Sequence, residues 1–138
     1  MFLLKSITIE FSKFTFLKGI VIGLIVGEIV LFVLLSITSA VMASTGILNN
    51  TLLEIMLTVI CGVSAFISGI VSSKMIKVKG LVNGLISGML FFVIIFSAGL
   101  IMMDGTITLF TFLKLIVSIL FGTIGGVVGV NKKEKLIK

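Results

Sequence analysis

Four apolar runs separated by short polar breaks constrain this chain more than anything else in it. They cover about residues 19–42, 52–73, 80–103 and 109–130. Each is roughly 22 to 24 residues long, enough for a helix to cross a ~30 Å hydrocarbon core with some tilt. Helices are the element expected, because backbone polar groups in lipid must be satisfied within the segment. Strands of a membrane barrel would alternate in polarity, and these runs do not. Of the 138 residues, 59% are hydrophobic and 12% charged, whereas a soluble domain runs nearer half and a quarter. So short a chain cannot hide this much apolar surface inside itself. A soluble enzyme, a disordered tail and a disulfide-stapled secreted module are excluded.

Lysine placement orients the spans. All eleven positive charges are Lys. Lys5, Lys13 and Lys18 precede the first run, Lys74, Lys77 and Lys79 separate the second from the third, and Lys132, Lys133, Lys135 and Lys138 follow the fourth. The other two breaks, around 49–51 and 104–108, hold no Lys. The positive-inside rule therefore puts both termini and the middle connection in the cytoplasm. The net charge of +6 reads as topology and attraction to anionic lipid rather than as nucleic-acid binding. Val41-Met42-Ala43 has the small residues of a signal-peptide cleavage site, but the run before it is about twice the length of a signal core and starts late. Within 1–18, Leu3, Leu4, Ile7, Phe11, Phe14 and Leu17 recur at helical spacing, opposite Lys5, Ser6, Glu10, Ser12 and Lys13. A short helix lying in the cytoplasmic interface is expected there, the alternative being a frayed extension of the first span. Residues 131–138 form a basic tail.

The chain repeats itself. Lys18-Gly19-Ile20-Val21-Ile22-Gly23-Leu24-Ile25-Val26-Gly27 returns as Lys79-Gly80-Leu81-Val82-Asn83-Gly84-Leu85-Ile86-Ser87-Gly88. Thr51, Leu53, Glu54, Gly62 and Gly69 are echoed by Thr111, Leu113, Lys114, Gly122 and Gly129. An offset of about 60 residues in both cases makes two tandem helical hairpins, parallel repeats about an axis along the membrane normal. The expected fold is an all-α integral membrane protein, a pseudo-symmetric bundle of four transmembrane helices. Gly19, Gly23 and Gly27 share one helix face, as do Gly80, Gly84 and Gly88, and Gly122, Gly125, Gly126 and Gly129 smooth the end of the fourth span. Such stripes let backbones approach closely. None joins a strand to a helix or ends in Gly-Lys-Ser/Thr, so no phosphate-binding loop is present.

Three charges fall within the runs. Glu28 stands about ten residues into the first span, roughly 15 Å deep at 1.5 Å per residue. An intramembrane carboxylate is a candidate functional site by default; the alternative is a structural hydrogen bond to Ser36, Asn83 or Ser87. Glu54 and Lys114 occupy matching repeat positions, and three geometries are open to them. Lys114 forms a salt bridge with Glu54, reaches inward to Glu28, or snorkels outward alone. With no His, and Cys61 the single Cys, neither a metal site nor an internal disulfide is expected, and no cofactor is implied. An intramembrane protease would need a Ser-His pair or two aspartates, and neither is available, so no enzyme activity is expected.

Ser73-Lys74, Lys79-Gly80-Leu81-Val82-Asn83-Gly84, Gly88, Phe91-Phe92 and the ending Gly122-Thr123-Ile124-Gly125-Gly126-Val127-Val128-Gly129-Val130-Asn131 together resemble a family of small four-span membrane proteins. That family belongs to Firmicutes and is often encoded near the translocase accessory subunit YajC. The resemblance covers nearly the whole chain and implies a Gram-positive plasma membrane. The family has no assigned activity, so no catalytic residue carries over. Two functional classes follow. One is a non-enzymatic component of a membrane complex, packing against itself or another membrane protein through its glycine-lined helix faces. The other is a small proton-coupled transporter using Glu28, although the Trp and Tyr that small multidrug exporters place near such a carboxylate are missing. A holin-like pore stands behind both, since no span has a continuous polar face.

Overall fold

The computed structural model describes residues 2–46, 49–76, 79–102 and 107–137, with side chains over 13–46, 49–76, 79–101 and 107–131. Four helices follow one another: α1 (Phe2–Thr45), α2 (Asn50–Ile76), α3 (Gly80–Met102) and α4 (Leu109–Ile137). Each contains a stretch long and apolar enough to cross a membrane: Lys13–Thr45, Asn50–Ile76, Gly80–Ile101 and Leu109–Asn131. The lead before the first span is helical and runs into it without a break, so α1 is one helix of 44 residues. At ~1.5 Å per residue it is about 66 Å long, some twice the hydrocarbon thickness. Of the expected interfacial stripe, Phe14 and Leu17 are exposed; the side chains from Leu3 to Ser12 lie outside the described residues, as do Lys77, Asp104 and the tail lysines.

Helix ends follow local chemistry. Gly46, at φ +68°, closes α1 by donating its N–H to Met42 O at 3.0 Å, a left-handed cap that glycine adopts without penalty. Asn49 starts α2: its carbonyl accepts from Leu53 N and its side chain accepts from Thr51 N, an N-cap role suited to Asn.

The glycines dictate how the helices meet. The α1 triplet lies against serines of α2. A Cβ at Gly23 would fall 2.8 Å from Ser68 O, and one at Gly27 2.7 Å from Ser68 Cβ and 3.3 Å from Ser64 O. The α3 triplet lies against α4 in the same antiparallel sense, Gly80 near Gly126, Gly84 near Gly122 and Gly88 near Ser118. α2 and α4 run parallel, with Phe66 beside Gly125 and Ile70 beside Gly129. The glycines of α4 thus serve two faces, Gly122 and Gly126 toward α3 and Gly125 and Gly129 toward α2.

Two tandem hairpins are present, but their symmetry is incomplete. α3 packs on α2 as well as α4, whereas α1 packs on α2, touches α3 slightly and makes no contact with α4 among the described residues. α2, α3 and α4 therefore form a three-helix core with α1 on its flank. The interior is unlike a soluble core. Cys61, Ala65 and Phe91 form its apolar centre, while Ser64, Ser68, Ser72, Ser73, Asn83, Ser87 and Ser118 are buried around it. Large apolar side chains such as Phe32, Val59, Leu81 and Phe112 face outward, as lipid-facing surfaces require.

Close approach predicts a graded response to one added methyl group. At Gly84 it would meet Gly126 Cα and Thr123 Cα, both at 2.9 Å, so the backbones must part. Gly84→Ala and Gly126→Ala should each destabilise the bundle by about 1–3 kcal/mol in detergent unfolding. Gly99, with nothing within 4 Å, should accept Ala without loss. Equal destabilisation at all three positions would mean that these glycines do not act through packing.

Candidate functional site

Glu54 and Lys114 each stand just over a turn inside the N-terminal ends of α2 and α4. Because these helices run parallel, residues about 60 apart come to the same depth, and Lys114 Nζ donates to Glu54 Oε2 at 2.7 Å. The pair is partly shielded, with Lys114 21% and Glu54 31% exposed. Lys114 is therefore directed at Glu54 rather than inward to Glu28 or outward alone. Thr58 Oγ1 donates to Glu54 O at 2.8 Å. Removing one partner of a shielded pair leaves the other charge uncompensated. Glu54→Gln and Lys114→Met should each destabilise the fold, and a double-mutant cycle should show a coupling of about 0.5–3 kcal/mol. Additive losses would deny the pair any role.

Glu28 follows Gly27 directly, and Gly27 sits against Ser68 and the Phe91 ring. That seam places Glu28 toward α3, on the lipid side of the α1–α3 contact. Here α1 contributes two adjacent rows, Leu24, Glu28 and Phe32 and then Ile25, Ile29 and Val33, facing Ile94 of α3 across a groove of about 480 Å³. Glu28 Oε1 is buried without a hydrogen-bond partner. Two of the expected structural bonds, to Ser36 and Ser87, are not made. Ser36 Oγ donates to Phe32 O of its own helix at 2.8 Å, and Ser87 Oγ has no partner at all. Glu28 is a carboxyl on an apolar, lipid-open groove.

A hydroxyl seam that the sequence reading overlooked lies behind it. Ser64, Ser68 and Ser72 recur every fourth residue on α2, fully buried, and with Ser87 of α3 their Oγ atoms have no partner. Their signal is the same i, i+4 spacing as in the glycine triplets, carried by the next smallest polar residue. Serine here admits the backbone of α1 almost as closely as glycine would.

All ten glycines singled out from the sequence, Gly19, Gly23, Gly27, Gly80, Gly84, Gly88, Gly122, Gly125, Gly126 and Gly129, are buried inside the chain. They lie between helices of the chain, and the neighbouring helices cover their faces. A second groove of about 420 Å³ opens between the C-terminal half of α1 and the N-terminal half of α2, lined by Leu35, Thr38, Ser39, Met42, Leu53 and Leu57. Cys61 is a free, buried thiol. Among the described residues, no group of three or more His, Cys, Asp or Glu could hold a metal ion.

A helical bundle with small and hydroxyl-bearing residues inside and large apolar ones outside is a multi-pass integral membrane protein, in contact with the lipid bilayer. Residues 16–129 match the family "Protein of unknown function (DUF3792)", and the chain belongs to that family. No curated protein matches it, and no solved structure does.

Proposed function

We propose that the chain is a non-enzymatic subunit of a membrane assembly, and that α1 is the helix through which it meets its partner. The observation that carries this reading is the one-sided attachment of α1. Its glycine face is held by α2, while Val21, Ile25, Ile29, Phe32, Val33, Ile37 and Val41 remain exposed along it. The lysine distribution supports a fixed orientation with both ends on the cytoplasmic side. The sequence resemblance supports a Gram-positive plasma membrane.

The second reading is a small proton-coupled transporter, with protons and a cationic substrate competing for Glu28. The unpartnered oxygen on an open groove favours it, while the missing Trp and Tyr and the lysine bias toward one orientation weigh against it. Gentle purification from native membranes, through a tag after the basic tail, separates the two readings. A stoichiometric second polypeptide in the native mass is the expected outcome. A pure homomer would remove the subunit reading. If proteoliposomes then show substrate-driven proton flux that Glu28→Gln abolishes, transport takes its place.

A further inference from the structure

We infer that the α1–α3 groove seats a transmembrane helix of a different polypeptide, one that places a lysine or arginine at the depth of Glu28. This deepens the subunit reading and rests on it. The shape of the groove supplies the first half of the inference. Leu24, Glu28 and Phe32, with Ile25, Ile29 and Val33 beside them, make two parallel rows of residues four apart. Between such rows the ridge of another helix packs. Ile29 is 58% and Phe32 70% exposed, so the surface is open to a helix arriving from the lipid.

Charge supplies the second half. Glu28 Oε1 lies buried without a partner about midway through an apolar span, where an uncompensated carboxylate is costly. Among the described residues, Lys114 is the one cation between the ends of the apolar runs, and it is engaged with Glu54 at 2.7 Å. A second copy of this chain would bring another carboxylate to the groove and no free countercharge. A different chain bearing a cation supplies the complement that a second copy lacks.

The full chain, carrying a fluorescent protein after its basic tail, can be reconstituted in phosphatidylcholine vesicles with dye-labelled poly-leucine transmembrane peptides and energy transfer measured. One peptide carries a central Lys, one is all Leu, and one has its Lys moved two turns from the centre. The central-Lys peptide should associate roughly five- to thirtyfold more tightly than the other two, the range of interhelical polar contacts in bilayers. Glu28→Gln, close in shape to the native residue, should erase that preference. Ile29→Trp, which fills the groove, should weaken association while the helical circular dichroism stays unchanged.

Equal association of all three peptides would overturn the inference, as would a Lys preference that survives Glu28→Gln. Energy transfer between two copies that Ile29→Trp abolishes would also overturn it, since a second copy would then own the groove. A native partner together with no Lys preference removes this inference alone. A native homomer removes the subunit reading and this inference with it.

Discussion

Lipid gives helices no hydrophobic reward for touching one another, so this fold depends on how closely its backbones can approach. Lipid tails are as apolar as leucine, and what remains is dispersion, weak polar contact and the release of lipid. The chain meets that constraint by leaving side chains out. Where α1 meets α2, glycines face serines; where α3 meets α4, glycines face glycines and Ser118. A Cβ added at the α3 triplet or at Gly125, Gly126 and Gly129 would first meet a backbone carbonyl oxygen of the facing helix, among them Ser118 O and Ile70 O. That is the arrangement in which Cα–H···O contacts recur between helices. Small residues thus collect inside and large ones outside, the reverse of a soluble core.

The same constraint explains why the repeat does not close into a symmetric bundle. α4 carries glycine on two faces and can approach α2 and α3 together. α2 offers serines to α1 and Gly62 and Gly69 to α4, where Val117, Phe121 and Gly122 meet them. α1 has a single smooth face, the line through Gly19, Gly23 and Gly27, and α2 occupies it. Bulky residues cover the rest of α1, which stays on the flank with its lipid-facing rows uncovered. Glu28 falls on the border between the packed face and the free one.

Much of this was legible in the sequence, and the remainder was hidden for physical reasons. Run length revealed the spans, and i, i+4 spacing revealed the glycine faces. The repeat offset brought Glu54 and Lys114 to one depth, where they meet. Packing order was hidden because an isoleucine facing lipid and one facing a neighbouring helix look alike. The serines of α2 were overlooked because a hydroxyl in an apolar run reads as a weak polar interruption, although Ser64, Ser68 and Ser72 keep the spacing of the glycines they face. The proposed bond from Ser36 to Glu28 is not made because Ser36 lies two turns further along the same helix, about 12 Å away at 1.5 Å per residue, and its hydroxyl bonds Phe32 O instead.

That contrast also marks Glu28 as different in kind from the buried hydroxyls. A serine left without a tertiary partner can turn to its own helix, as Ser36 and Ser97 do. An ionised carboxylate can only accept hydrogen bonds, and the amide N–H groups around it in mid-helix are already engaged in the ladder of α1. No rotation of the side chain finds a donor on its own helix. Lys114 is held by Glu54 near the N-terminal ends of α4 and α2, and Asn83 and Ser87 lie on the N-terminal half of α3, before Phe91 and Ile94. No described side chain bonds this oxygen, and it borders the face of α1 that the fold leaves uncovered.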